Sequence, residues 1–138
     1  MKLKLLNYML GAFIISCAWG NPAPSVCNFS DPVFESLSHQ KVVIKEPESY
    51  TVDEENFVII QLEKPDLPSG YRVTVLMDTL ESPSQKPEIQ GWYPKTTIVP
   101  KEKGAHVIAM RVNLIYKGSC GGILVASLAN TQLVFTAQ

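Results

Sequence analysis

The chain has 138 residues, 12 basic against 13 acidic, for a formal net charge of −1. That length bounds a single domain. The missing basic excess excludes a nucleic-acid-binding face and a polybasic membrane patch.

Residues 1–20 read as a signal peptide. Lys2 and Lys4 form a short basic start, and Leu5 to Ser16 is an apolar run too short to span a bilayer comfortably. Two exits follow. Ala18-Trp19-Gly20 suits cleavage before Asn21, whereas Ile14-Ile15-Ser16-Cys17 resembles a bacterial lipobox, in which Cys17 would carry lipid and become the first residue. The first exit gives a secreted or periplasmic protein. The second gives a lipid-anchored envelope protein, and only then is a membrane a partner. Loss of Lys2 and Lys4 leaves ten basic against thirteen acidic residues, a formal charge of −3 on about 118 residues. The short, lysine-led leader points to a bacterial host.

Cys27 and Cys120 remain after cleavage at Asn21, an even pair in an oxidising compartment. Their bridge closes a loop of about 94 residues. In the chain-entropy picture a loop that long contributes roughly 4–5 kcal/mol.

Residues 21–40 form a leader and entry segment, proline-rich at Pro22 and Pro24 and ambiguous over Pro32 to Gln40, where one helical turn or an irregular edge both fit. From residue 41 onward the signals are those of short strands. Lys41 to Lys45 is one, stopped by Pro47, with Ser49 to Val52 as its continuation after a kink. Phe57 to Leu62 is near-continuously apolar and reads as a central strand buried on both faces. Tyr71, Val73, Val75 and Met77 alternate with Arg72, Thr74, Leu76 and Asp78. Glu88 to Tyr93 and Thr96 to Val99 are short strands closed by Pro94 and Pro100, which suits sheet edges.

The longest signal lies at Gly104 to Tyr116. His106, Ile108, Met110, Val112, Leu114 and Tyr116 share one face of an extended chain, and Arg111 and Asn113 lie on the other. A glycine corner, Gly118-Ser119-Cys120-Gly121-Gly122, follows. Ile123 to Ala126 and Thr131 to Thr136 come next, joined by a bulge or small turn near Ala129-Asn130. No helical period holds for three turns after residue 20. The expectation is an all-β, antiparallel, two-sheet sandwich over 41–138, Ig-like in the broad sense, with about seven short strands and one disulfide.

No residue pattern carries catalysis. His39 and His106 are far apart, with no His-x-His, Cys-x-x-Cys or third ligand, so a metal centre is not expected. There is no Gly-x-Ser-x-Gly motif, and Ser119 sits among glycines best explained as the turn that places Cys120. Asp53, Glu54 and Glu55 are neighbours in a turn and point apart. No cofactor follows from these residues.

Recognition residues are better represented. Gly91-Trp92-Tyr93-Pro94 sets two aromatics beside a glycine and a proline, and such side chains suit protein or sugar contacts. One of the pair, Trp92 by preference, is expected in the core; otherwise the pair forms a contact surface. Ser69, Gly70 and Tyr71 after the Pro65–Pro68 loop, together with Ser119, complete the candidate contact set.

The stretch Phe57 to Tyr71, followed by Lys103 to Tyr116, is similar to chagasin-type inhibitors of cysteine proteases, secreted Ig-like domains that insert three loops into a protease cleft. Leu67-Pro68-Ser69-Gly70-Tyr71 keeps the Pro, Gly and Tyr of the family's first loop. Its Gly-x-Gly-Gly loop is absent, and Lys117-Gly118-Ser119 stands where Arg-Pro-Trp would be. The resemblance therefore speaks to topology more than to activity. The sequence points to a non-enzymatic module that binds a protein or carbohydrate through sandwich-end loops and an edge aromatic pair. An enzyme inhibitor and a structural lipoprotein anchored through Cys17 are the alternatives.

Overall fold

A computed structural model describes residues 31–118 and 121–138. The signal segment, Cys17, Cys27, Ser119 and Cys120 lie outside the described residues.

The described chain opens with a short helix, α1 (Pro32–Ser38), where the sequence had allowed one turn. Its start is written locally. Asp31 caps it by accepting the Val33 N–H at 2.9 Å and the Phe34 N–H at 3.4 Å. Pro32 sits in the first turn, where its missing N–H costs nothing, and Glu35 favours the positive end of the helix dipole. Only Leu37 of the helix is buried.

Seven strands follow: β1 (Val42–Lys45), β2 (Asn56–Leu62), β3 (Tyr71–Glu81), β4 (Glu88–Gln90), β5 (Lys95–Val99), β6 (Gly104–Lys117) and β7 (Ile123–Ala137). They form two antiparallel sheets, one in the order β1-β2-β5-β4 and the other β3-β6-β7. The chain is an all-β sandwich. After β1 it crosses between sheets: Tyr50 bridges Ala137, the Gln138 N–H donates to the Tyr50 carbonyl at 2.9 Å, and the Val52 N–H donates to the Gln138 carbonyl at 3.0 Å.

The core lies between the sheets. Val58, Ile60 and Ile98 meet Val75, Ile108, Met110, Val112, Leu133 and Phe135 there. The inward row of β6 is as the alternation requires, with His106, Ile108, Met110, Val112 and Leu114 all fully buried. His106 stacks on Phe135 with centroids 5.1 Å apart, and its Nε2 lies 3.0 Å from the Glu102 carbonyl. Phe135 in turn stacks on Tyr50 at 3.7 Å.

Two expectations are corrected. First, β2 is buried on one face only: Val58, Ile60 and Leu62 point inward, but Phe57 and Ile59 are half-buried and Gln61 is exposed. Among the described residues no third layer covers that outer face; the Lys95 ammonium lies over the Phe57 ring at 3.5 Å. Second, β5 is not an edge. It pairs with β2 on one side and β4 on the other. Its flanking prolines stand just outside the ladder and lend their carbonyls, Pro94 to the Ile60 N–H and Pro100 to the Asp53 N–H, both at 2.8 Å. The last two pieces are joined by a bulge, as expected near Ala129-Asn130: Leu128 is the extra residue where Val112 pairs with Ala129 and Asn113 with Ser127.

Two carboxylates tie the loops down. The Tyr71 hydroxyl donates to Asp31 Oδ2 at 2.7 Å and is the main cause holding the Asp31 carboxyl below its ordinary value, with the capping N–H groups adding to it. Glu102 is also held low, chiefly by the Ser84 hydroxyl at 2.6 Å and then by the Gln85 N–H at 3.0 Å. A carboxyl with a lowered folded-state value stabilises the fold above its unfolded value and loses that contribution as the pH falls through the folded one. The urea midpoint of the parent is therefore expected to fall as the pH drops below the ordinary carboxylate range. Asp31→Asn should flatten that slope while lowering the midpoint at neutral pH; an unchanged slope in that variant would remove Asp31 from the account.

Candidate interaction site

The β4–β5 hairpin presents the strongest candidate. Trp92 is 72% exposed at its tip, the largest exposure among the exposed bulky apolar side chains. Tyr93 does the opposite and packs against the core, where burial raises its hydroxyl pKa. The preference for Trp92 as the core residue is thus reversed: one aromatic anchors the hairpin and the other is displayed.

The anchoring has a backbone component. A Cβ on Gly91 would lie 2.8 Å from the Val75 carbonyl oxygen of β3, so only glycine allows the hairpin to approach that closely. The Trp92 N–H donates to the Gln90 carbonyl at 3.2 Å, and the Pro94 carbonyl is held by Ile60. The peptide between Tyr93 and Pro94 is cis. Trp92 is therefore a large, amphipathic side chain on a backbone fixed on both sides, with two side-chain torsions to lose on binding.

Ser69 and Gly70 are exposed, and they lie beside the glycine corner. The Lys117 N–H donates to the Gly70 carbonyl at 3.1 Å, and Gly70 adopts a left-handed φ of 89°. The corner closes on itself through Gly118 N–H to the Gly122 carbonyl at 2.9 Å and Gly121 N–H to the Gly118 carbonyl at 3.1 Å. Tyr71 is more engaged than its neighbours. Its ring stacks on Tyr116 at 4.5 Å, Tyr116 meets Phe34 of α1 at 6.5 Å, and its hydroxyl is taken by Asp31. This aromatic stack joins α1 to the end of the β3-β6-β7 sheet, leaving Tyr71 half-buried.

The two candidate groups are not one patch. Gly91 abuts Val75, four residues along β3 from Tyr71, a separation of about 13 Å at strand rise. Sequence reasoning placed both groups but could not measure the gap between them.

Among the described residues no group of three or more His, Cys, Asp or Glu side chains could hold a metal ion. His39 is exposed beside Glu35, at 3.0 Å, whereas His106 is fully buried, so the two do not share a site. No helix of the described residues is long and apolar enough to cross a membrane. Comparison with protein-family models, with curated proteins and with solved structures gave no match.

Proposed function

We infer that the chain is an exported, non-enzymatic binding module with an Ig-like topology, which recognises a protein or carbohydrate partner. The observation that carries this is the 72% exposure of Trp92 on a hairpin anchored by Gly91 and Tyr93. A rigid exposed indole is costly to leave in water and well suited to stacking on a sugar face or filling a pocket of a partner. The strand orders β1-β2-β5-β4 and β3-β6-β7 support the Ig-like reading, since they follow the ABED and CFG sheets of constant-type domains. A Cys27–Cys120 bridge would belong to the same exported state.

Trp19 and Trp92 are the only tryptophans, so after cleavage before Asn21 Trp92 alone reports by fluorescence. The test is a glycan and protein array probed with the exported protein, followed by titration of hits at the tryptophan emission. Binding should shift that emission. Trp92→Ala should lower affinity by about 2 kcal/mol or more, the range of an interface anchor, while leaving the unfolding free energy within about 0.5 kcal/mol of the parent. Hits that Trp92→Ala binds equally well would remove the hairpin from the site.

An enzyme inhibitor is the second reading. The bond from Lys117 to Gly70 favours it, because it sets the Ser69-Gly70 loop and the glycine corner side by side at one end of a sheet. That reading requires tight, saturable inhibition of a protease, lost on Ser69→Arg and indifferent to Trp92→Ala.

A further inference from the structure

Four strands lie at sheet edges among the described residues, and three of them are protected. β1 has four residues, ends in Lys45 and is followed by Pro47. β4 has three, between Pro87 and Pro94. β3 carries Arg72, Asp78 and Glu81, has an irregularity at Thr79–Glu81, and is abutted by the Gly91 hairpin. These are the usual devices that stop a strand edge from pairing with another chain. β7 has only one of them, the bulge at Leu128. Its fifteen residues, ILVASLANTQLVFTA, include no charge, no proline and no glycine.

The free edge of β7 can be read from its hydrogen bonds. Gln138 turns both its N–H and its carbonyl toward Tyr50 and Val52, away from β6. Backbone direction alternates along a strand, so Thr136, Val134, Gln132 and Asn130 turn the same way. The extra residue at Leu128 reverses the parity, and Ser127, Val125 and Ile123 then continue that side. Among the described residues nothing pairs with this edge between Ile123 and Val134. The side chains of Ile123, Val125 and Val134 are 62%, 60% and 69% exposed.

We propose that β7 pairs antiparallel, edge to edge, with β7 of a second copy of this chain, joining two three-stranded sheets into one of six. The bulge decides the register. An unbroken strand would face its own image with like-numbered parity. Here the parity shift lets the two-fold axis pass between Leu128 and Ala129. Ile123 then opposes Val134, Val125 opposes Gln132, and Ser127 opposes Asn130. The two most exposed apolar side chains of β7 cover each other on both sides of the axis. A two-fold contact sets a surface against itself, and β7 brings no charge into the seam that would need a counter-charge on the partner strand. The Tyr50–Val52 cap begins beyond the paired stretch. A cleft of about 260 Å³ lies at that end of β7, lined by Glu46 to Tyr50 and by Val134 to Thr136.

The experiment is sedimentation equilibrium on exported protein from the micromolar range to about 100 μM, with far-UV circular dichroism as the folding control. The expected mass is twice that of the chain. Val134→Lys and Val125→Lys, both at outward positions, should each keep the parent spectrum and raise the dimer dissociation constant at least about tenfold. Ile123 and Val134 lie about 36 Å apart along one strand, so a bond between them must join two copies. The Ile123→Cys/Val134→Cys variant should give a covalent dimer on oxidation that the parent does not. A monomer at 100 μM would overturn the proposal. So would a dimer that both lysine variants leave intact, which would place the contact elsewhere, on Trp92 or on the residues before Asp31.

Discussion

Asn56→Ala is expected to lower the unfolding free energy by about 3 kcal/mol, read as a shift of the urea midpoint with an unchanged slope. Asn56 is the first residue of β2 and only 6% exposed. Its carbonyl oxygen accepts the Thr51 N–H at 2.9 Å. Its amide nitrogen reaches the carbonyls of Thr51 at 3.0 Å, Glu54 at 2.8 Å and Ile98 at 3.1 Å. Two amide hydrogens serve three acceptors, so one of these bonds is shared. This one side chain stands in for a missing ladder where the chain crosses between sheets, including Asp53 at a left-handed φ of 60°. Alanine takes the partner from the Thr51 N–H and removes one bond to the Ile98 carbonyl, and losses of this kind cost about 1–3 kcal/mol each. Asn56→Asp should be at least as damaging at neutral pH, because it aims a carboxylate at three carbonyls. It should recover in part as the pH falls and the acid regains an O–H. If Asn56→Ala costs under 1 kcal/mol, the turn holds itself and the amide is incidental.

The parts of this fold that were legible in the sequence are those fixed by alternation. The inward row from His106 to Leu114 is fully buried because a strand has no other way to place those side chains. The helix was also written in the chain, as Asp31, Pro32 and Glu35, but seven residues are too few for a 3.6-residue period to emerge. What could not be read depends on neighbours. The prolines around β5 look like edge signals until Ile60 and Asp53 are seen to use their carbonyls. Whether Trp92 or Tyr93 faces the core turns on a tertiary approach, since both are large, amphipathic and adjacent. Gly91 was the available clue. A glycine inside a strand-like run marks either a bulge or a close backbone approach, and only the position of Val75 decides which.

Gly91 accordingly carries the second large effect, and it links stability to recognition. Gly91→Ala places a Cβ 2.8 Å from the Val75 carbonyl oxygen and 3.8 Å from Met77 Cγ. The first contact is with backbone, so no side-chain rotation relieves it, and the hairpin must move off β3. Overpacking of this kind costs about 1–3 kcal/mol, and Gly91→Val should sit at the upper end. The displacement also moves the neighbouring Trp92 and loosens Tyr93 from the core. Gly91→Ala should therefore weaken any ligand that shifts the Trp92 emission, although the indole itself is intact. Trp92→Ala separates the two effects, since it should lose binding and keep stability. If the hairpin backbone positions the indole, the pair of substitutions will not add in binding, because Gly91→Ala has nothing left to misplace once Trp92 is gone. Additive losses would mean that Gly91 supports recognition by some other residue of the hairpin. A Gly91→Ala variant as stable as the parent would mean that the close approach to Val75 does not hold the hairpin at all.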